Sequence, residues 1–317
     1  MSDSRPDAVV VGAGVVGLTT GICLAEAGLA TRVVAAAAPR ETTSYAAGAM
    51  CGPVFVPADD HSGAREHASY DEFVALAATP GTGVHLCPGR FVAPADMPQP
   101  PEVYRPAGVR SLAADELPRG YGSGFFATLP CVDMPAYLDY LTARLAAAGG
   151  RIEMRRLGTL SDAAREAPLV ANCAGLGARE LVPDPTVHPV RGQHVVVENP
   201  GVDTLFMEPP LGAEWAGYIP HGDVVVLGGI AVEDDWNLEP DPAVADGILR
   251  RCIAVEPRFR DARIIEHRVG LRPGRPAIRL ERDDVGATRV VHNYGHGGVG
   301  VMLSWACARE AVGLLTI

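Results

Sequence analysis

The feature that most constrains the fold is a glycine-rich turn near the N-terminus, placed between two short apolar runs. Residues 8–11 form the first run, the pattern G-x-G-x-x-G covers residues 12–17, and the second run covers residues 31–38. An apolar run, a glycine turn, a helical stretch and a second apolar run together predict a βαβ unit of a parallel sheet. Gly28 is placed to end the helix, because glycine is common just past a helix C-terminus.

In a unit of this kind, the glycines let a diphosphate approach the backbone, and free N–H groups at the helix start attract its charge. The turn therefore predicts a dinucleotide site, with a purely structural glycine turn as the alternative. The residues concerned are Gly12, Ala13, Gly14, Val15, Val16 and Gly17. Many such sites carry an acid at the end of the second strand to bind ribose hydroxyls, but residues 35–38 are all alanine. Either backbone or water holds the ribose, or adenosine binding is weakened.

Composition narrows the chemistry that this 317-residue chain can perform. The chain has 27 arginines and no lysine, so a Schiff-base lysine, a catalytic lysine base and a P-loop lysine are excluded. The net charge of −11 argues against a nucleic-acid partner. No metal-ligand spacing is present, and the seven cysteines include no C-x-x-C pair, so we expect no metal and no disulfide framework.

The sequence contains no recognisable targeting signal. The first residues lack the basic and apolar regions of a signal peptide, and no run reaches about 18 apolar residues. We therefore expect a cytoplasmic protein without a membrane partner. A homodimer is the expected assembly only because such dimers are the commonest oligomers.

Two motifs in the second half of the chain could hold a ligand. A loop over residues 292–300 precedes a closing helix, and its glycines would bring backbone groups against a flat ligand such as a flavin. The segment 270–281 carries Arg272, Arg275 and Arg279 among prolines, which favours a carboxylate anchor, since the arginine fork matches a carboxylate. A structural loop and a solvated arginine cluster are the alternatives.

Seven segments, taken together and in order, resemble the D-amino-acid oxidase family, in particular its actinobacterial members. They are VVVGAGVVGLTTGICLAEAG, TTSYAAGAM, VANCAGLGARELVPDP, VRGQHVVVENPG, VVLGG, HRVGLRPGRPAIRLE and HNYGHGGVG. The resemblance spans nearly the whole chain. It implies an α/β (α+β) fold with a discontinuous Rossmann-like FAD-binding domain, residues 1–85, 130–186 and 287–317. A substrate domain on a curved antiparallel β-sheet would take residues 86–129 and 187–286.

The family's activity is the oxidation of a D-amino acid by FAD and molecular oxygen, which yields a 2-oxo acid, ammonia and hydrogen peroxide. The resemblance implies that Arg272 holds the substrate carboxylate, that the Gly298 carbonyl accepts the substrate amine, and that Tyr218 also contacts the substrate. Besides the N-terminal turn, it places these residues at FAD: Thr42, Thr43, Ser44, Gly48, Ala49, Met50, Leu157, Gly175, Gly295, Gly297, Gly298, Gly300 and Met302.

Several positions depart from the family pattern, and they cluster at the expected site. Small or apolar residues stand where the family keeps polar or bulky cofactor contacts, namely Ala36, Ala37, Cys51, Gly52, Ala174 and Met302. The strand of the substrate-binding tyrosine is one residue short, so either Tyr218 or Gly217 faces the substrate. The departures motivate an alternative function, a repurposed member with weakened flavin binding that binds a ligand or catalyses a non-redox reaction.

Overall fold

The computed structural model of the chain describes residues 5–52, 62–95, 107–210 and 212–317. Its strands, in chain order, are β1 (Ala8–Val11), β2 (Thr31–Ala35), β3 (Ala49–Met50), β4 (Val84–Ala93), β5 (Arg110–Ser111), β6 (Ser123–Val132), β7 (Arg151–Met154), β8 (Leu169–Asn172), β9 (His188–Glu198), β10 (Leu205–Met207), β11 (Glu214–His221), β12 (Val224–Ile230), β13 (Val232–Glu233), β14 (Ile264–Gly274), β15 (Arg279–Arg282) and β16 (Arg289–Tyr294). Its α-helices are α1 (Val15–Glu26), α2 (Ser62–Ala77), α3 (Met134–Ala147), α4 (Leu160–Glu166), α5 (Ala178–Leu181), α6 (Pro242–Val255) and α7 (Gly300–Thr316).

The first sheet contains six strands in the order β15-β16-β8-β1-β2-β7. Strand β1 lies inside it and pairs in parallel with β2 and β8, and every residue of β1 is buried. A strand buried on both faces needs an unbroken apolar sequence, which explains the run at residues 8–11. The βαβ unit predicted from the glycine turn is confirmed, although β2 ends at Ala35, before the end of the apolar run.

Close backbone contacts explain the glycines of the turn. Gly12 has a φ of +107°, a conformation that side chains disfavour, and a Cβ there would lie 2.5 Å from the carbonyl oxygen of Cys173. A Cβ on Gly17 would lie 1.9 Å from the carbonyl oxygen of Gly12. The absence of both side chains lets α1 start directly at the end of β1, against the segment that follows β8.

The second sheet contains ten strands and curls across the carboxyl ends of the first. Its main path runs β13-β9-β12-β11-β10-β4-β6-β3, and β14 pairs with β9 along most of its length. The pairing is antiparallel apart from β10 with β4, which is parallel. The predicted combination of a Rossmann-like sheet with a curved antiparallel sheet is confirmed.

The two sheets interleave along the chain, as a discontinuous arrangement requires. One strand lies on the other side of a predicted boundary: β15 pairs with β16 in the parallel sheet, whereas residues 187–286 were expected in the substrate domain. The division into domains by residue number stays a prediction.

The C-terminal helix α7 packs inside the protein. Residues 297–316 are apolar and long enough to cross a membrane by length and composition, with a mean hydropathy of 1.3, and half of that window is buried. The hydroxyl of Thr19 on α1 donates to the carbonyl oxygen of Ser304 at 3.2 Å, and the amide of Ala306 donates to the hydroxyl of Ser69 on α2 at 3.3 Å. A buried core helix accounts for the apolar sequence of α7.

Gly17→Ala is expected to lower the free energy of unfolding by about 2 kcal/mol or more, because its Cβ overlaps the Gly12 carbonyl oxygen. Gly313→Ala on α7 is the matched control, because a Cβ there has no neighbour within 4 Å. The control should raise that free energy by about 0.5–1 kcal/mol, as removal of a helical glycine does. Urea unfolding of both variants checks this, and equal effects would contradict the packing described.

Candidate active site

A cavity of about 720 Å³ lies between the carboxyl ends of the parallel strands and one face of the antiparallel sheet. Its wall includes the N-terminus of α1, the ends of β1, β2, β8 and β16, and the middle of β9 and β14. The volume lies within the usual range of pockets for small molecules and cofactors. Open sheets of this type bind ligands at the carboxyl ends of their strands, so this cavity is the candidate active site.

Most of the residues predicted for the site line this cavity. They are Gly12, Ala13, Gly14, Val15, Val16, Thr42, Thr43, Ser44, Leu157, Gly175, Arg272, Gly297, Gly298 and Gly300. They come from six separate stretches of the chain. The fold therefore brings together groups that the sequence separates by up to 288 positions, from Gly12 to Gly300.

Other predicted residues lie beside the cavity rather than in its wall. They are Gly17, Gly48, Ala49, Met50, Tyr218, Gly295 and Met302. Gly48 packs on the imidazole of His194, and Gly295 on the side chain of Arg275. Met302 is 4% exposed in the core that includes α7, so its thioether replaces a polar group in an apolar environment. Their roles at a cofactor stay predictions.

Tyr218 requires a correction, because its side chain faces away from the cavity. It is 2% exposed, stacks on Phe206 with ring centroids 5.6 Å apart, and meets the edge of Phe259 at 5.1 Å. These rings belong to the apolar cluster under α6, on the opposite face of the antiparallel sheet. Gly217, the other alternative for this strand, points to the opposite face, where a Cβ would lie 3.5 Å from the ring of Trp215, but it is not part of the cavity wall either.

The residues at the N-terminus of α1 fit the diphosphate of FAD. Backbone groups of Gly14, Val15 and Val16 line the cavity there, and the first turn of α1 contains no acidic residue to oppose an anion. The amide of Val15 donates to the hydroxyl of Ser44 at 3.0 Å, so the segment with Thr42 and Ser44 is held against the helix start. Positive helix ends and hydroxyl groups are the usual partners of phosphate.

One acidic residue of the cavity wall near the end of β2 was missed by the sequence reasoning. Glu41 lines the cavity, and its carboxylate accepts a hydrogen bond from the amide of Ala38 at 3.0 Å. The turn at 39–41 brings this carboxylate back to the strand end from six residues beyond Ala35. Spacing alone could not reveal it, because the path of the turn decides where the carboxylate lies.

Arg272 is the only one of the three motif arginines in the cavity wall. Its guanidinium packs over Gly192, where a Cβ would lie 2.6 Å from Nη2, and about 6.0 Å from the ring centroid of Trp215. Nη1 donates to the carbonyl oxygens of Ile230 at 3.1 Å and of Arg191 at 3.4 Å. Burial lowers the pKa of Arg272 to about 10, which leaves it charged at neutral pH.

Arg275 and Arg279 instead support the glycine loop that follows β16. Nε of Arg275 donates to Asp184 at 3.1 Å, and the hydroxyl of Tyr294 donates to the same carboxylate oxygen at 2.9 Å. Arg279 donates to the hydroxyl of Tyr294 at 2.8 Å. Gly295, which begins the loop, lies against the Arg275 side chain with a φ of +81°. The network therefore fixes the direction in which the loop leaves the sheet.

His194 on β9 is a second polar residue of the cavity that the sequence reasoning did not identify. Its Nδ1 lies 2.8 Å from the carbonyl oxygen of Ala46, to which it donates as the protonated nitrogen. Burial, together with the charge of Arg272, lowers the pKa of His194 to about 4. A period of two along β9 puts His194 on the same face as Gly192, but only the pairing of β9 with β14 relates that face to Arg272.

Asp184→Asn is expected to lower the free energy of unfolding at pH 7 by about 1–3 kcal/mol, since a buried acceptor of several hydrogen bonds is lost. Burial acts to raise the pKa of Asp184, but the bonds from Thr186, Tyr294 and Arg275 outweigh it and hold the pKa well below its usual value. The stabilisation is therefore present above the unfolded-state pKa of about 3.9 and is lost as the pH falls through the folded-state pKa.

Urea unfolding of wild type and Asp184→Asn at pH 7 and pH 3 measures this dependence. The difference between the two proteins should be smaller at pH 3. A difference that stays constant or grows on acidification would contradict the assigned network.

Comparison with known proteins gives full-length matches. The family model described as FAD dependent oxidoreductase matches residues 7–314. The chain is 46% identical over 310 residues to a D-amino-acid oxidase of Rubrobacter xylanophilus, covering 97% of this chain and 95% of that one. It is 45% identical to a D-amino-acid oxidase of Streptomyces coelicolor, covering 99% and 98%. The solved glycine oxidase of Geobacillus kaustophilus superimposes with a TM-score of 0.84 at 19% identity, over 98% of this chain and 94% of that one.

Proposed function

The chain belongs to the D-amino-acid oxidase family of FAD-dependent oxidoreductases, and we propose that it oxidises D-amino acids. The products are the 2-oxo acid, ammonia and hydrogen peroxide. FAD held by the N-terminus of α1 and the loop at residues 297–300 would supply the redox chemistry, since a bound flavin can take a hydride from the α-carbon of the substrate and pass the electrons to molecular oxygen. The imino acid that leaves the site is then hydrolysed by water. The protein supplies binding and orientation, which is the larger part of catalysis in such a reaction.

The position of Arg272 is the observation that carries this proposal. Among the described residues, Arg272 donates hydrogen bonds only from Nη1. Nε and Nη2 are therefore available as a fork for a carboxylate. No carboxylate of the described residues forms an ion pair with Arg272. A buried, charged guanidinium of this kind in a cavity wall is suited to an anionic ligand, because pairing offsets the cost of its burial.

Gly298 is the second residue that we propose for the substrate site. A Cβ on Gly298 would lie 3.7 Å from Cδ of Arg272, so the loop backbone approaches the arginine closely. A carbonyl oxygen at that point can accept from an amine whose carboxylate is held by Arg272. His296, in the same loop, is 4% exposed, and burial with the nearby charge of Arg65 lowers its pKa to about 4. A histidine with that pKa is a weak base, in agreement with a reaction that needs no protein base.

The partners and the location of the chain are also proposals. Molecular oxygen is the electron acceptor in the proposed reaction, and the net charge of −11 disfavours a nucleic-acid partner. The burial of α7 against α1 and α2 supports the proposal that the chain has no membrane partner. The cytoplasmic location and the homodimer stay predictions.

Peroxide formation from matched enantiomers tests the proposed function. Purified protein with added FAD should release hydrogen peroxide from small D-amino acids, with one oxygen consumed for each 2-oxo acid formed. L-enantiomers should give at most a trace. Absence of peroxide from the whole D-amino-acid panel, with FAD bound, would refute the proposal.

Arg272→Leu should raise the KM for a D-amino acid by about a hundredfold or more, because two charge-assisted hydrogen bonds to the carboxylate are lost. Arg272→Lys should recover only part of that loss, since an ammonium lacks the planar fork. Arg263→Leu is the control, an exposed arginine paired with Glu198 far along β9. Steady-state kinetics with peroxide detection measures the three variants, and an unchanged KM in Arg272→Leu would remove Arg272 from the substrate site.

Tyr218→Phe should leave kcat/KM within about twofold of wild type, because the hydroxyl has no role in the cavity. Burial raises the pKa of Tyr218 to about 12, and the ring stays packed between Phe206 and Phe259 in either form. The same peroxide assay measures this. A rise in KM of tenfold or more would show that the strand turns its tyrosine to the substrate.

A further inference from the structure

The imidazole of His194 lies in the cavity wall next to the carboxylate anchor. Gly192 and His194 are two residues apart on β9, so both point to the same face. The guanidinium of Arg272 covers Gly192. The guanidinium of Arg272 and the imidazole of His194 therefore lie in the same part of the cavity wall, on one face of β9.

Two glycines make room for the ring. A Cβ on Gly48 would lie 3.3 Å from both Cε1 and Nε2 of His194, and a Cβ on Gly228 would lie 2.4 Å from Cδ2 and 2.8 Å from Nε2. Gly228 comes from β12, which pairs with β9, and Gly48 comes from the segment that the family resemblance places at the flavin. The ring thus occupies the point where the antiparallel sheet meets that segment.

The protonation of the ring is determined by its partner. Nδ1 carries the proton, because it faces the carbonyl oxygen of Ala46 at 2.8 Å and a carbonyl can only accept. Nε2 of the neutral ring is consequently an acceptor. Within the described ranges of the chain, no group donates a hydrogen bond to it. The low pKa of His194, caused by burial and by Arg272, agrees with a ring that stays neutral.

We propose that His194 accepts, through Nε2, a hydrogen bond from an N–H group of the ligand at the boundary between the carboxylate anchor and the flavin segment. This inference rests on the proposed function and adds a contact residue to it. Two N–H groups could reach this boundary, the amino group of a small D-amino acid and an N–H of the flavin ring. Both are hydrogen-bond donors, and a neutral imidazole can accept from either of them. Because the pKa of His194 is lowered to about 4, the ring orients the donor without taking up its proton.

Two amide substitutions separate this role from a structural one. His194→Asn keeps a donor near the position of Nδ1, and with it the bond to Ala46, but has no atom at the position of Nε2. His194→Gln reaches the position of Nε2 with its amide oxygen and gives up the bond to Ala46. If Nε2 is the functional atom, His194→Asn should weaken binding of the N–H donor, and His194→Gln should keep most of that binding. A purely structural role through Ala46 predicts the reverse order.

Three quantities are measured in wild type and in both variants. They are the Kd of FAD from the quenching of flavin fluorescence, the Ki of propionate, and the KM of D-alanine. Propionate is D-alanine without its amino group, so it reports the contact of the carboxylate with Arg272 alone. The wild-type protein is measured first, and its binding of FAD and oxidation of D-alanine test the proposed function. The variants are then compared with wild type.

With the substrate amine as the donor, His194→Asn should raise the KM of D-alanine about fivefold to tenfold, while the Ki of propionate and the Kd of FAD stay within about twofold. With the flavin as the donor, the Kd of FAD should rise by the same factor. The inference is overturned if all three quantities in His194→Asn match wild type. It is also overturned if His194→Gln shows the loss and His194→Asn does not.

Discussion

The architecture depends on the backbone contact between Gly12 and Gly17. Because neither residue has a side chain, α1 begins directly above the end of β1, and its N-terminus opens on the cavity. The segment after β8 lies against the same turn, with the carbonyl of Cys173 close to Gly12. The segment at Thr43 is tied across to the antiparallel sheet by its hydroxyl, which donates to the carbonyl oxygen of Leu271 at 2.9 Å. Arg272, the next residue along β14, is thereby held opposite the helix start.

Local patterns predicted the parts of the site whose geometry is itself local. Residues 12–16 of the first glycine turn and most residues of the loop at 292–300 line the cavity, since a glycine pattern next to a strand specifies its own path. The choice of Arg272 came from the family motif, because charge alone does not distinguish it from Arg275 and Arg279. Structural contacts now separate them: Arg272 covers Gly192, while the other two support Tyr294 and Asp184.

What the sequence could not reveal depends on contacts between distant strands. Tyr218 and Gly217 are neighbours, so a one-residue shift exchanges the faces of the sheet to which they point, and only the pairing of β11 with β10 and β12 fixes those faces. The position of His194 in the cavity wall depends on the pairing of β9 with both β12 and β14, which the sequence does not specify. Glu41 likewise occupies a place near the end of β2 where the alanines had suggested no acid at all. No observation on the described residues favours a function without flavin.

The visible spectrum of wild-type protein without oxygen tests the central claim most directly, because it needs both bound FAD and hydride transfer from the substrate. With FAD bound, addition of D-alanine under anaerobic conditions should bleach the absorbance of the oxidised flavin, and air should restore it. L-alanine should leave the spectrum unchanged. A protein that does not bind FAD, or whose flavin keeps its absorbance with every small D-amino acid tried, would contradict the account.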